Sequence, residues 1–270
     1  MKKVFVSFFL ILTLIVTLGA CSKKEVKPEE EKRKANPASD FEYHVGEETV
    51  SIKSYKGDSK DVVIPEKIEE LPVIFIQVCA FAGTDIESVD IPDTVTDIGE
   101  NAFYGCEKLH TVKIGNGVEV VYRKAFQNCK SLENLTLSSK IAEVQTAAFS
   151  GCSSLTELHI PKTLNKWYTE AFYGNSLTKL TFEDGIENIG GHATLWNYKC
   201  DLKEITFPAS VKKLGEWTFG DGVEHAYFLG DAPEFGKKPF GESKVTIHYK
   251  KGTKGWDNTE LEQWYTLVEE

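Results

Sequence analysis

The chain lacks the short signatures that mark most catalytic sites. No stretch reads as a nucleophile elbow, a phosphate-binding glycine loop or a zinc-protease helix. Its six histidines, His44, His110, His159, His192, His225 and His248, are scattered without an H-x-x-x-H pair, and no two cysteines stand in a C-x-x-C spacing. Neither a metal site nor any other cofactor is therefore expected. Positive charge is also scarce: 31 Lys and Arg face 41 Asp and Glu, for a net charge of −10. A nucleic-acid binder needs a cationic face that releases counterions, so nucleic acid is not an expected partner. Together these absences argue against an enzyme and turn attention to what the sequence repeats.

The first twenty residues read as an export signal. Lys2 and Lys3 precede an almost unbroken apolar run, Val4 to Leu18, and small residues Gly19 and Ala20 follow it. A spanning helix is the alternative, but the run is at the short edge for a bilayer at ~1.5 Å rise per residue, and the next stretch, SKKEVKPEEEKRK, is charged throughout. Leu18-Gly19-Ala20-Cys21 resembles the lipobox of bacterial lipoproteins. That resemblance implies cleavage before Cys21 and a lipid on its sulfur, hence an exported protein anchored to the cell membrane or outer membrane. Residues 1–20 are then the signal peptide. Residues 21–40, rich in Lys, Glu and Pro, read as a flexible charged tether.

Beyond the tether the sequence repeats itself. The pair Ala-Phe recurs at Ala80-Phe81, Ala102-Phe103, Ala125-Phe126, Ala148-Phe149 and Ala171-Phe172, in steps of 22 or 23 residues. Such a period marks a solenoid, whose units cannot bury an apolar face alone and must stack. Two apolar residues precede each alanine by seven and four positions, as in Val95 and Ile98 or Val118 and Val121. After each pair comes L-x-x-L-x-L: Leu109/Val112/Ile114, Leu132/Leu135/Leu137, Leu155/Leu158/Ile160 and their equivalents. Its last two members alternate as in a strand, apolar residues inward and their neighbours outward. Two later units are degenerate: Ala193 is followed by Thr194, and Thr218-Phe219 replaces Ala-Phe.

The runs IPDTVTDIGENAFYGCEKLHTVKI and LSSKIAEVQTAAFSGCSSLTELHI resemble the repeat of the BspA-like leucine-rich-repeat family. The resemblance extends over roughly residues 41–265. It implies a mainly β fold with short helical turns: a right-handed leucine-rich-repeat solenoid of parallel strands on a bacterial surface protein. Family members act as adhesins or bind host or microbial proteins. Because a solenoid exposes an apolar layer and strand edges at each end, caps are expected. Residues 41–64 hold two alternating stretches split by Gly46 and read as a hairpin cap. The solenoid is placed at 65–230 and a C-terminal cap at 231–270.

Four sets of residues are candidates for chemistry or contact. Cys106, Cys129 and Cys152 each follow their phenylalanine by three residues and should stack as a column of small buried thiols. Parallel, in-register strands sit ~4.8 Å apart, too far for an ordinary disulfide. Cys200 falls near the same place in a degenerate unit, and Cys79 lies elsewhere. The strand face carries two outward columns: Ser88, Thr111, Asn134, Glu157, Lys179, Glu204; and Asp90, Lys113, Thr136, His159, Thr181, Thr206. Both are polar, mixed in sign and without an aromatic anchor, as suits a solvated sheet or a surface binding through many hydrogen bonds. An aromatic group, Tyr173, Trp196, Tyr198 and Trp217, gathers where the pattern breaks. It reads either as filler for the lost Phe or as an exposed patch for protein or sugar.

The expected function is a cell-surface lipoprotein that binds a protein partner, in adhesion to host or other cells, and touches the membrane through lipidated Cys21. A structural or assembly role in the bacterium's own envelope is one alternative. Carbohydrate binding through the aromatic group is another.

Overall fold

Alternation decides which way each repeat faces. In the strand Thr111–Ile114, Val112 and Ile114 are buried while Lys113 is exposed, and the strand Glu157–Ile160 repeats the arrangement with Leu158 and Ile160 inside. The computed structural model describes residues 33–190, 201–257 and 259–270. Cys21, Trp196, Tyr198 and Cys200 lie outside them.

Residues 34–270 form one body of stacked coils, each giving one strand to either of two columns. The front column begins with Asp61–Val63, Ser88–Ile91, Thr111–Ile114 and Asn134–Thr136, all parallel and in register, so that Asp61, Ser88, Thr111 and Asn134 stand abreast. It continues with Glu157–Ile160 beside Lys179–Phe182, then Glu204–Phe207, His225–Phe228, Thr246–Tyr249 and Thr266–Glu269. The back column is built of two-residue strands, among them Asp97–Ile98, Val120–Val121, Glu143–Val144 and Lys166–Trp167. At the N-terminal end Phe41–Val45 pairs antiparallel with Val50–Tyr55, which leads into the back column. Helix among the described residues is confined to Ala38–Asp40 and Thr259–Glu262.

The Ala-Phe turns explain their own composition. Each phenylalanine N–H donates to the alanine carbonyl of the next coil, Phe103 to Ala125 and Phe126 to Ala148, both at 2.7 Å. Backbones approach closely there, and a larger side chain than alanine would not fit between coils. The residue before each alanine turns left-handed, with φ of 55° at Asn101, 58° at Lys124, 56° at Ala147, 60° at Glu170 and 50° at Trp217. Its exposure varies from coil to coil. Trp217, expected to be exposed from this register, is half-buried, and Ala147 is buried.

Phe81, Phe103, Phe126, Phe149 and Phe172 form a single file through the core, with successive ring centroids 4.7, 4.8, 5.1 and 5.2 Å apart. The step matches the ~4.8 Å spacing of paired strands, so one ladder dictates the other. Tyr55 extends the file at one end, and Trp167 packs edge-on against Phe172 near the other. Beyond the degenerate unit Phe219 and Phe240 stack again, at 5.5 Å, and Trp256 is buried against Phe228.

Ion pairs such as Lys108–Asp85, Lys130–Glu107 and Arg123–Glu100 run from coil to coil on the surface. They are solvent-exposed and screened by water and salt, and the apolar file outweighs them. The tether expected to run through residue 40 stops short of it. The Asn36 N–H donates to the Val63 carbonyl, and the Asp40 carbonyl accepts from the N–H groups of Lys56 and Gly57, so this stretch is bonded to the body.

Candidate ligand-binding face

The parallel register carries the outward residues of the front strands into two continuous columns, as expected for Lys113, Asn134, Thr136, Glu157, His159, Lys179, Thr181, Glu204 and Thr206, all of which are exposed. Ser88 is a correction. It is only 4 % exposed, and its hydroxyl donates to a carboxylate oxygen of Asp61 in the coil before it. Asp90 and Thr111 are half-covered in the same region. The strand Asp61–Val63, which carries no Ala-Phe mark, pairs beside Ser88–Ile91, and its Asp61 carboxylate takes the Ser88 hydroxyl out of the open face at the N-terminal end.

The face is not evenly zipped. Among the described residues no backbone hydrogen bond joins Asn134–Thr136 to Glu157–Ile160, although the back strands at the same level, Val120–Val121, Glu143–Val144 and Lys166–Trp167, pair without a break. In a parallel ladder alternate residues direct both backbone groups to the same neighbour. Asn134 and Thr136 point theirs back toward Thr111–Ile114, so Leu135 points its own across the opening, toward Glu157 and His159. Two coils thus splay apart at the front while staying joined at the back and through Phe126 and Phe149. Leu135 and Leu137 are half-exposed in consequence, where Val112 and Ile114 are buried. The pairing is also interrupted between Lys179–Phe182 and Glu204–Phe207.

A groove of about 870 Å³ fills the opening, lined by Asn134, Thr136, Glu157, His159, Lys179 and Thr181 together with Glu133, Leu135, Ser154, Thr156 and Leu158. Six of the twelve face residues expected from sequence therefore meet at one place. Within it the Lys179 ammonium lies 2.7 Å from the Glu157 carboxylate, and His159 Nδ1 is 3.0 Å from the Thr181 hydroxyl. The lining offers donors, acceptors and one compensated ion pair beside unpaired backbone. That is a surface for hydrogen-bonded recognition.

Sequence reasoning ended the two columns at residue 206. They run on through His225, Thr246 and Thr266, and through Tyr227, His248 and Val268. The signal was present as one further triplet, Val223/Ala226/Phe228, and as the strand-like alternation Val245/Ile247/Tyr249. Here the face does hold an aromatic ring: Tyr227 stacks on His248 at 4.5 Å. Burial and the nearby carboxylates of Glu204 and Glu270 push the Tyr227 phenol above its ordinary value. His248 Nδ1 lies 2.6 Å from the Glu270 carboxylate and its Nε2 lies 2.9 Å from His225 Nδ1. A carboxylate only accepts, so Nδ1–H of His248 donates to Glu270 and, with both rings neutral, Nδ1–H of His225 donates to His248.

Of the expected aromatic group, Tyr173 and Trp217 are both half-buried. The Trp217 ring packs beside Lys238, whose ammonium also lies 5.6 Å from the Trp264 ring. The three in-register thiols are buried and free, and each donates to a phenylalanine carbonyl of an earlier coil: Cys106 to Phe81, Cys129 to Phe103 and Cys152 to Phe126, at 3.0, 3.2 and 3.3 Å. Cys79 is free and exposed.

Comparison with known proteins agrees with this geometry. The model of the BspA type leucine rich repeat region matches in six copies, over residues 75–197 and 194–246. A leucine rich repeat protein of T. pallidum is similar in structure, with a TM-score of 0.56 and 26 % identity over 75 % of this chain and 86 % of that one. A leucine rich cell surface protein of Faecalibacterium prausnitzii has a TM-score of 0.51 and 19 % identity, covering 80 % of this chain and 76 % of its own. A leucine-rich repeat protein of Bacteroides ovatus has a TM-score of 0.50 and 21 % identity, covering 85 % and 75 %. Comparison with curated proteins gave no match.

Proposed function

Because the chain belongs to the BspA-type leucine-rich-repeat family, we propose that it is an exported, lipid-anchored surface protein that binds a protein partner through the front strands, in adhesion to host or other cells. The observation that carries the reading is the splayed groove between Asn134–Thr136 and Glu157–Ile160, where exposed polar side chains and unpaired backbone groups coincide. Backbone N–H and C=O groups left without protein partners hold water, and a partner's polar groups can replace it at little net cost. Repeat scaffolds of this kind serve as binding surfaces, and the arrangement of the face favours a non-enzymatic role. The cell-surface relative in F. prausnitzii and the apolar leader ending at Cys21 support the location.

The test is retention of partners from host matrix and from intact cells by the full-length protein. It is set beside a triple variant, Asn134→Ala with Glu157→Ala and His159→Ala, whose sites are all exposed. A specific partner held by the wild type and at least tenfold less by the variant supports the reading. Equal retention overturns it, and crosslinks confined to the bacterium's own envelope proteins favour a structural role instead. Lipid anchoring is read separately: Cys21→Ser should release the protein into the medium.

A further inference from the structure

Among the described residues the last back strand, Glu234–Phe235, pairs on one side only, with Lys213–Leu214. Its other side faces the segment that carries Leu261, Trp264 and Tyr265. A pocket of about 620 Å³ opens between them, with Phe235 and Tyr265 at its base, 6.0 Å apart, and Trp264, Lys237 and Lys238 around it. We propose that this pocket binds an acidic saccharide.

Two independent features support that class of ligand. The first is the ring. Trp264 is 61 % exposed, more than any other large apolar side chain among the described residues. An indole held open to water beside polar groups suits the C–H face of a pyranose, which is apolar and flat, while the sugar's hydroxyls keep their own partners. The backbone N–H and carbonyl of Phe235 lie on the unpaired side of their strand and can supply some of them.

The second feature is charge. Two lysines, Lys237 and Lys238, line the pocket beside a single carboxylate, Glu234. Lys238 is held by Glu242, and Glu234 at the pocket's edge is held by Lys213. Lys237 is exposed and has no carboxylate partner among the described residues. Lys254 is tied to the rim, since its carbonyl accepts from the N–H of Ala232, which lines the pocket. With Lys238 and Glu234 paired, Lys237 is left to attract a carboxylate or phosphate carried on the sugar, and the attraction weakens with salt. Phosphorylated glycans of a bacterial wall and uronic-acid polymers of a host matrix share this chemistry.

The experiment is calorimetry and tryptophan fluorescence on the full-length protein with three probes: hyaluronan hexasaccharide, a purified wall polysaccharide of phosphodiester-linked hexoses and neutral chitohexaose. At least one acidic probe should bind tenfold or more tightly than chitohexaose, and which of the two binds identifies the source. Trp264→Ala and Lys237→Glu should each weaken it at least tenfold, with Trp264→Phe retaining most of the affinity. The front-face change Glu157→Ala should leave it untouched, which separates this pocket from the groove. Should Trp264→Ala melt early, Lys237→Glu and Trp264→Phe carry the comparison. No binding of either acidic probe at millimolar concentration overturns the proposal. So does equal binding of chitohexaose, or unchanged affinity in Lys237→Glu.

Discussion

Phe126 and Phe149, one coil apart, lie with their rings 3° from parallel and their centroids 5.1 Å apart, and both side chains are wholly buried. Each ring also touches the coil on its other side. Phe126→Ala should therefore leave a cavity shared by three coils and cost about 3–5 kcal/mol, with Phe126→Leu costing roughly half as much. Chemical denaturation followed by far-UV circular dichroism checks it. A loss below about 1 kcal/mol would mean that the file does not hold the coils together.

The thiols should divide by position rather than by sequence context. Burial pushes Cys152 up to about 12, and Cys129 is raised well above the ordinary value by its hydrogen bond with Cys106 and by burial. The reactive thiolate of these two is then negligible at pH 8, whereas the Cys106 thiol is shifted downward by its contact with Cys129 and is protected by its complete burial. Peptide mapping after brief maleimide treatment of the folded protein should find Cys79 modified and Cys106, Cys129 and Cys152 untouched until denaturant is added.

Backbone exchange should expose the splayed coils. Leu135, Leu137, Glu157 and His159 direct their N–H groups into the groove and have no partner among the described residues, whereas Val112 and Ile114 sit within the paired ladder. Residue-resolved hydrogen exchange should show the first four exchanging at least a hundredfold faster than the last two. Equal protection would close the groove.

Glu42 in the N-terminal hairpin should titrate unusually low. Hydrogen bonds from Lys53 at 2.7 Å and Lys56 at 3.1 Å hold its carboxyl at about 2. A carboxylate whose folded value is depressed adds stability that is complete above the unfolded value, near 4.3, and is lost as the pH falls through about 2. The pair is exposed, so the contribution is small and best read on the side chain itself. NMR titration should give a midpoint about 2 in the wild type and a clear upward move in Lys53→Met.

Much of the fold was legible because the sequence repeats its inward residues. Val112, Ile114, Leu158 and Ile160 point where alternation puts them, and the Ala-Phe pairs fall in one file. Exposure was harder to read, because it depends on what lies over a residue as well as on the direction it faces. Ser88 has an outward register and is buried all the same, held against the Asp61 carboxylate of the neighbouring strand. Trp217 inherits the left-handed position of Asn101 and Lys124, yet it is partly covered at the side of Lys238. The splay at Leu135 was invisible for a different reason. The 23-residue step from Phe126 to Phe149 is unbroken, and that spacing fixes which residues face inward without fixing how far apart two front strands stand.

At Leu135 the back strands stay paired where the front ones part, and this gives that joint a built-in direction of bending. Pressure that closes the front would meet little resistance until new backbone bonds formed, whereas bending the other way would pull rings out of contact. That joint is compliant toward whatever it grips with its front, and one coil on the arrangement is reversed, because among the described residues the back strands Lys166–Trp167 and Asn188–Ile189 are not paired with each other while the front ones are joined.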